Sequence, residues 1–388
     1  MFEIVEEKNR EAIIKVVGIG GCGNNAVDHM IEKNIFGVDF ISINTDLQTL
    51  KKSQANNILQ IGLNLTRGLG AGARPDAGKQ AAIEDRDKIK EAIKDADMIF
   101  ITAGMGGGTG TGAAPVIAEI ARELGILTVA VVTKPFSFEG KRNQIAEQGI
   151  DELKQFVDSL IIIPNEKLMN VLGADVSFLD AFAAANDVLY NSVSGISDII
   201  NHTGLINVDF SDVKTVMAEM GNAIIGSGAY EGDGRAIKAA QLAINSPLLE
   251  NVELRNAKGI LVNISANTSF KMKEYIEVMN EIKSIAAPDA TVIVGNVIDD
   301  NIGDKLKVTI VATGLDEQNL KQNSNEFLKD IEEIENKTEN THIDKIDRNL
   351  RFDISDVPNV FSDQDSGPDL ISQDTEDAFD IPSFLRRK

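Results

Sequence analysis

Gly104-Met105-Gly106-Gly107-Gly108-Thr109-Gly110-Thr111-Gly112 is glycine at six of its nine positions. Such a run loses much backbone freedom on folding and needs a reason. The residues before it, 97–103 (DMIFITA), are apolar and β-branched and read as a strand; those after it, 113–124, carry a helical apolar period. A flexible linker does not sit between a buried strand and an amphipathic helix. A stretch of bare backbone that meets a phosphate does. With no Cβ in the way its N–H groups come close, and the following helix N-terminus adds free donors and a positive dipole end. Thr109 and Thr111 are read as adding hydroxyl donors.

Outward from this loop, Gly18-Ile19-Gly20-Gly21-Cys22-Gly23-Asn24-Asn25 repeats the arrangement. A strand over 13–20 precedes it, and a helix is expected from near Ala26. Alone, this loop matches G-x-G-x-x-G, which leaves open a dinucleotide-dependent oxidoreductase or a ligand-free tight turn. A dehydrogenase has no need of the second loop. Neither loop ends in the G-K-[ST] of a P-loop, which removes that class. Runs at 38–44, 126–133 and 159–163, with helical patterns such as 78–94 between them, imply a parallel sheet covered on both faces.

Residues 178–200 read as one helix, with Phe182, Ala185, Leu189, Val193, Ile196 and Ile200 as its apolar stripe and Gly204 beyond its end. A second α/β region follows, with helices over 211–220, 234–245 and 271–287 and strands over 222–227, 259–264, 291–298 and 306–313.

The bulk composition narrows the classes. The 388 residues carry a net charge of −22, which argues against non-specific nucleic-acid binding and requires that an acidic ligand be held by local donors. The one cysteine, Cys22, forbids an internal disulfide, and with His29, His202 and His342 far apart it makes no zinc set. No apolar run is long enough to span a bilayer, and the acidic residues 1–10 lack an apolar signal core. From Glu317 to Asp380 there are 18 acidic residues against 6 basic, a net of −12. Too little of that segment is apolar to offset its ordering entropy, so a disordered linker is expected. The last residues, Phe379 to Lys388 (FDIPSFLRRK), combine apolar groups, a proline and a basic end.

GGGTGTG at Gly106–Gly112 resembles the signature loop of the tubulin/FtsZ family, and the chain resembles that family over 11–315. Asn44-Thr45-Asp46, Gly70-Ala71-Gly72-Ala73, Lys134-Pro135-Phe136, Phe138-Glu139-Gly140, Ala184-Ala185-Asn186-Asp187 and Asn207-Val208-Asp209-Phe210-Ser211-Asp212-Val213 match further loops. Length and terminal peptide favour the FtsZ branch over tubulin proper. The resemblance implies an α/β, tubulin/FtsZ-like fold. Its parts are an extension (1–10), a Rossmann-like, parallel-sheet GTP-binding domain (11–177), a long central helix (178–204), a smaller C-terminal α/β domain (205–316), a disordered acidic linker (317–376) and a partner-binding peptide (377–388).

The resemblance also implies roles. GTP or GDP would be held at the phosphates by Gly20, Gly21, Cys22, Gly23, Asn24 and Asn25 and by Gly106, Gly107, Gly108, Thr109 and Gly110. Ala71, Gly72 and Ala73 would sense the γ-phosphate, Glu139 the ribose, and Arg142 would lie against the nucleotide. Asn186 and Asp187 would read guanine, with Phe182 stacked on it or simply part of the apolar stripe. Mg2+ would be bound by phosphate and water, with no protein cage. Asn207, Asp209 and Asp212 would reach into the next subunit's site to orient the attacking water; helix capping by Ser211 or Asp212 is the plain alternative. Head-to-tail homopolymers would form the division ring on the inner face of the membrane, and Asp380, Ile381, Pro382, Phe384 and Leu385 would engage membrane adaptors and regulators of division.

Two departures from the pattern stand out. Cys22 occupies a position often filled by glycine, as a reactive thiol or as an inert small hydrophobe. The stretch after Glu139 is one residue short, so Lys141 competes with Arg142 for its role.

Overall fold

The computed structural model describes residues 12–172, 176–201, 208–218, 221–246 and 257–315. All lie within one unit, Met1–Lys329; Asn207, the acidic segment and the terminal peptide fall outside the described residues.

In chain order the elements are β1 (Ile14–Ile19), α1 (Gly20–Glu32), β2 (Val38–Asn44), α2 (Leu47–Leu50), β3 (Asn57–Gln60), α3 (Leu63–Thr66), α4 (Pro75–Glu84), α5 (Arg86–Ile93), β4 (Met98–Gly104), α6 (Thr109–Glu123), β5 (Leu127–Lys134), α7 (Lys141–Leu153), β6 (Ser159–Pro164), α8 (Asn165–Leu172) and α9 (Phe178–Asn201). Then come α10 (Phe210–Met217), β7 (Gly221–Glu231), α11 (Arg235–Ile244), β8 (Gly259–Ala266), α12 (Met272–Ile285), β9 (Thr291–Ile298) and β10 (Lys305–Leu315).

The described strands form one sheet in the order β3-β2-β1-β4-β5-β6-β7-β10-β8-β9. From β3 to β7 every pairing is parallel. β10 runs antiparallel to both β7 and β8. The parallel sheet expected over 13–163 is therefore present, and in the second half β8 and β9 are parallel as well. The two halves are joined by a ladder of three residue pairs between β6 and β7.

Alternation along each strand sorts side chains between two layers. On β4, Ile99 and Ile101 pack with Ala81, Ile89, Ile117 and Leu153 of α4–α7. Met98 and Phe100 pack on the other face with Val27 of α1, Leu189 of α9 and Val213 of α10. A third cluster holds α11 and α12 against β8 and β10. Ala185, Leu189, Val193 and Ile196 of α9 are buried, whereas Phe182 is 37% exposed and stands outside the core.

Three elements differ from the sequence reading. α1 begins at Gly20, not near Ala26, so Gly20–Asn25 is the opening of the helix itself. The helix expected over 78–94 is two, α4 and α5, parted at Asp85, whose buried carboxylate accepts a 2.7 Å bond from the Gly62 N–H. β3 was not anticipated, because a four-residue, half-exposed edge strand has no apolar run to announce it.

The site follows from one pairing. β1 and β4 are neighbours in register, Ile19 opposite Ala103. Their helices α1 and α6 thus start side by side at the carboxyl edge of the sheet, where open α/β sheets bind ligands.

Candidate nucleotide-binding site

A cavity of about 410 Å³ opens at this edge, within the size range of small-molecule sites. Gly20, Gly21 and Cys22 line it from α1, and Gly106 to Gly110 from the start of α6. Both helix starts carry free donors. The N-cap residues Ile19 and Gly108 make no side-chain cap bond, and neither first turn contains an acidic residue. Two uncapped N-termini converging on one cavity make an anion site inside a chain of net charge −22.

The glycines do different jobs. A Cβ on Gly107 or on Gly21 would meet nothing within 4 Å and would project into open space beside the cavity wall. A Cβ on Gly108 would stand 2.1 Å from the Gly72 carbonyl oxygen. Gly107 therefore keeps the phosphate end open, whereas Gly108 lets the Gly70–Gly72 turn pack against the loop.

The two hydroxyls read as phosphate donors are placed differently. Thr109 lines the cavity, but its Oγ1 meets Thr45 Oγ1 at 2.7 Å. Thr111 is turned inward and accepts from the Gly106 N–H. Asn24 is buried too: it donates to the Gly18 carbonyl (2.9 Å) and accepts from Asn44 Nδ2 (2.8 Å), so its part is to brace the turn. Gly23 and Ala73 lie off the lining; Ala71 and Gly72 are on it. Burial pushes the Cys22 thiol above its usual pKa, partly offset by its contact with Thr133. That favours the inert reading of Cys22.

Glu139 and Arg142 also line the cavity, Arg142 close beside Gly106, and Arg142 Nη1 donates to Glu139 Oε2 at 2.7 Å. Lys141 is exposed and absent from the lining. The geometry thus favours Arg142 despite the shortened stretch. Phe182 lines the cavity with its ring edge-to-face on Phe136, which is stacked on Phe138.

Asn165, at the start of α8, is a lining residue that the sequence reading missed. It is 5% exposed, and its Oδ1 has no hydrogen-bond partner. A buried acceptor left unpaired is costly and points to a donor on a ligand. Only its place directly after β6 hinted at it. Asn186 and Asp187 are partly exposed and not on the lining; Asp187 faces α1, where His29 Nε2 lies 2.8 Å from its Oδ1. Asn25 is exposed on that same helix.

Asp209 and Asp212 lie apart from the cavity lining. Asp209 is the N-cap of α10 but makes no side-chain cap bond, and both residues are exposed. Neither carboxylate has a hydrogen-bond or ion-pair partner among the described residues. The capping alternative is therefore not realised.

Residues 13–173 match the Tubulin/FtsZ family, GTPase domain, and residues 221–316 match the FtsZ family, C-terminal domain. A curated relative named cell division protein FtsZ, from Wigglesworthia glossinidia brevipalpis, is 51% identical over 394 residues, spanning 100% of both chains. The chain belongs to the FtsZ family. The FtsZ of Pseudomonas aeruginosa is likewise 51% identical over 100% of both chains. Among solved structures, an empty FtsZ dimer from M. jannaschii superposes with a TM-score of 0.76 at 45% identity, covering 79% of this chain and 89% of that one. CetZ1 from Haloferax volcanii in its GDP-bound form, at 20% identity and a TM-score of 0.70, shares the fold; the match covers 80% of this chain and 97% of that one.

The FtsZ-family site fits a guanine nucleotide on its own observations. Two free helix N-termini suit the phosphates, an exposed ring suits the base, and the orphan Asn165 Oδ1 suits a base N–H. Among the described residues no group of three or more His, Cys, Asp or Glu side chains is placed to hold a metal ion, and no helix is long and apolar enough to cross a membrane.

Proposed function

We propose that the chain is a polymerising GTPase of bacterial cell division, whose active site is completed by the next subunit of a head-to-tail filament. One observation carries this reading: carboxylates at the cavity are engaged, while two free ones lie elsewhere. Asp46 caps α2 through Gln48 and Thr49, and Glu139 takes bonds from the Phe136 N–H and from Arg142. Asp209 and Asp212 are exposed, unpartnered among the described residues and not on the lining. Groups meant for water activation but absent from their own cavity suit a neighbour's cavity.

The cavity rim suits such a contact. Leu69 is 82% exposed on the lining, Phe138 is 71% exposed beside Phe136, and Leu179, one turn before Phe182, is 80% exposed. Exposed large apolar groups gathered at one site mark a binding surface. Nucleotide end against carboxylate end is a heterologous contact, which propagates as a filament.

Within the site, the helix N-termini would bind the phosphates, Glu139 and Arg142 the ribose side, and Phe182 and Asn165 the base. Mg2+ would neutralise phosphate charge while held by phosphate oxygens and water. Asp209 and Asp212, with Asn207, would orient the attacking water. The protein would act at mid-cell on the inner face of the membrane, tethered by adaptors through residues 377–388.

Phosphate release from GTP and magnesium, followed with light scattering across protein concentration, tests this. Specific activity should climb steeply at the assembly threshold, and Asp212→Ala should bind GTP yet lose most turnover. A specific activity that is flat across the threshold rules out completion by a neighbour.

A further inference from the structure

We propose that His29 is a positioning residue for base recognition: it fixes one oxygen of Asp187 and leaves the other to the purine. This rests on the reading that Asp187 meets guanine.

Gly21, Asn25 and His29 are spaced by four along α1 and so share one face of the helix. Gly21 lines the phosphate end of the cavity. The strip then passes the exposed Asn25 and ends at His29, whose Nε2 lies 2.8 Å from Asp187 Oδ1 on α9. A carboxylate only accepts, so the proton of this bond sits on Nε2. Lys33, one turn further, reaches the same Oδ1 at 3.4 Å. Asp187 Oδ2 has no partner among the described residues. One oxygen is thus held from the α1 side, and the other is available at the end of a strip that starts at the phosphates.

The contact is a poor stability device. Asp187 is 48% exposed, and ion pairs at such exposed sites contribute little to stability. Its better use is orientation. A guanine presents N1–H and the 2-amino group to a carboxylate, and an aspartate free to swing away discriminates less well.

The test compares affinities of the nucleotide-free, full-length protein for GTP and for inosine triphosphate, which lacks the 2-amino group. The variants are His29→Leu, which removes the donor, His29→Gln, which keeps one, and Asp187→Ala. His29→Leu should lower the preference for GTP over inosine triphosphate roughly ten-fold, with His29→Gln restoring most of it. If His29→Leu keeps the parent preference while Asp187→Ala loses it, the positioning role is overturned and base reading by Asp187 stands. If Asp187→Ala keeps the preference, base reading by Asp187 fails and the role of His29 falls with it. A general loss of affinity for both nucleotides at an unchanged ratio would mark a packing defect and also overturn the proposal.

Discussion

Thr111 of α6 accepts, on its Oγ1, a 2.9 Å hydrogen bond from the backbone N–H of Gly106. The helix therefore ties down the loop that precedes it. Gly106 sits at φ +96°, in the region that favours glycine. Thr111→Val keeps the shape and removes the acceptor, leaving a buried N–H unpaired. Stability should fall by about 1–3 kcal/mol, and GTP affinity should fall with it as the loop loosens. Denaturant unfolding and nucleotide titration read the two effects; parent values in both would show that the tie is dispensable.

Alanine at two adjacent glycines should have opposite consequences. At Gly107 the new methyl enters open space beside the cavity wall, so the fold should be unaffected and GTP affinity reduced. At Gly108 it meets the Gly72 carbonyl oxygen, so the unfolding midpoint should drop even without nucleotide. Equilibrium dialysis with GTP beside thermal melts separates the cases. Equal melting loss in both variants contradicts the assignment.

Asn165 carries an acceptor that its own fold leaves unpaired. Asn165→Ala should therefore leave the stability of the nucleotide-free protein close to that of the parent, while GTP affinity drops about ten-fold, the worth of one hydrogen bond. An unchanged GTP affinity would remove Asn165 from the base site.

Deleting residues 377–388 should leave turnover and assembly intact and abolish binding to membrane adaptors. If the acidic linker of about 60 residues expected before them is a random coil, it would reach roughly 40 Å. The peptide can then find partners without disturbing filament contacts. Phe384 and Leu385 are the largest apolar anchors on offer. Equal adaptor affinity for full-length and shortened protein in a titration would assign recognition to the globular surface.

Much of the fold was legible because its signals are local. The β-branched runs of β1, β2, β4, β5 and β6 announce buried strands whatever lies beside them. Short or interrupted elements were not legible. Four half-exposed residues of β3 have no period to read, and the break at Asp85 is made by a distant partner, the Gly62 N–H. The start of α1 was misplaced because glycines count against a helix by propensity. Here Gly20 opens the helix at φ +73°, and Gly23 packs so close to the Thr102 carbonyl that a Cβ would stand 2.4 Å from it.

The same division runs through the candidate site. The sequence by itself determined that two strand–glycine–helix turns exist and that backbone must meet an anion there, since that need is written in the absence of side chains. Only the tertiary structure decided which of those glycines face the cavity and which face protein. It turned Thr111 inward, brought Asn165 to the lining and set Asp187 against His29, 158 positions away in the chain. It also left Asp209 and Asp212 outside the cavity. Each of these depends on which strands are neighbours and how their helices pack, and contacts between residues so far apart leave no periodicity in the sequence that joins them.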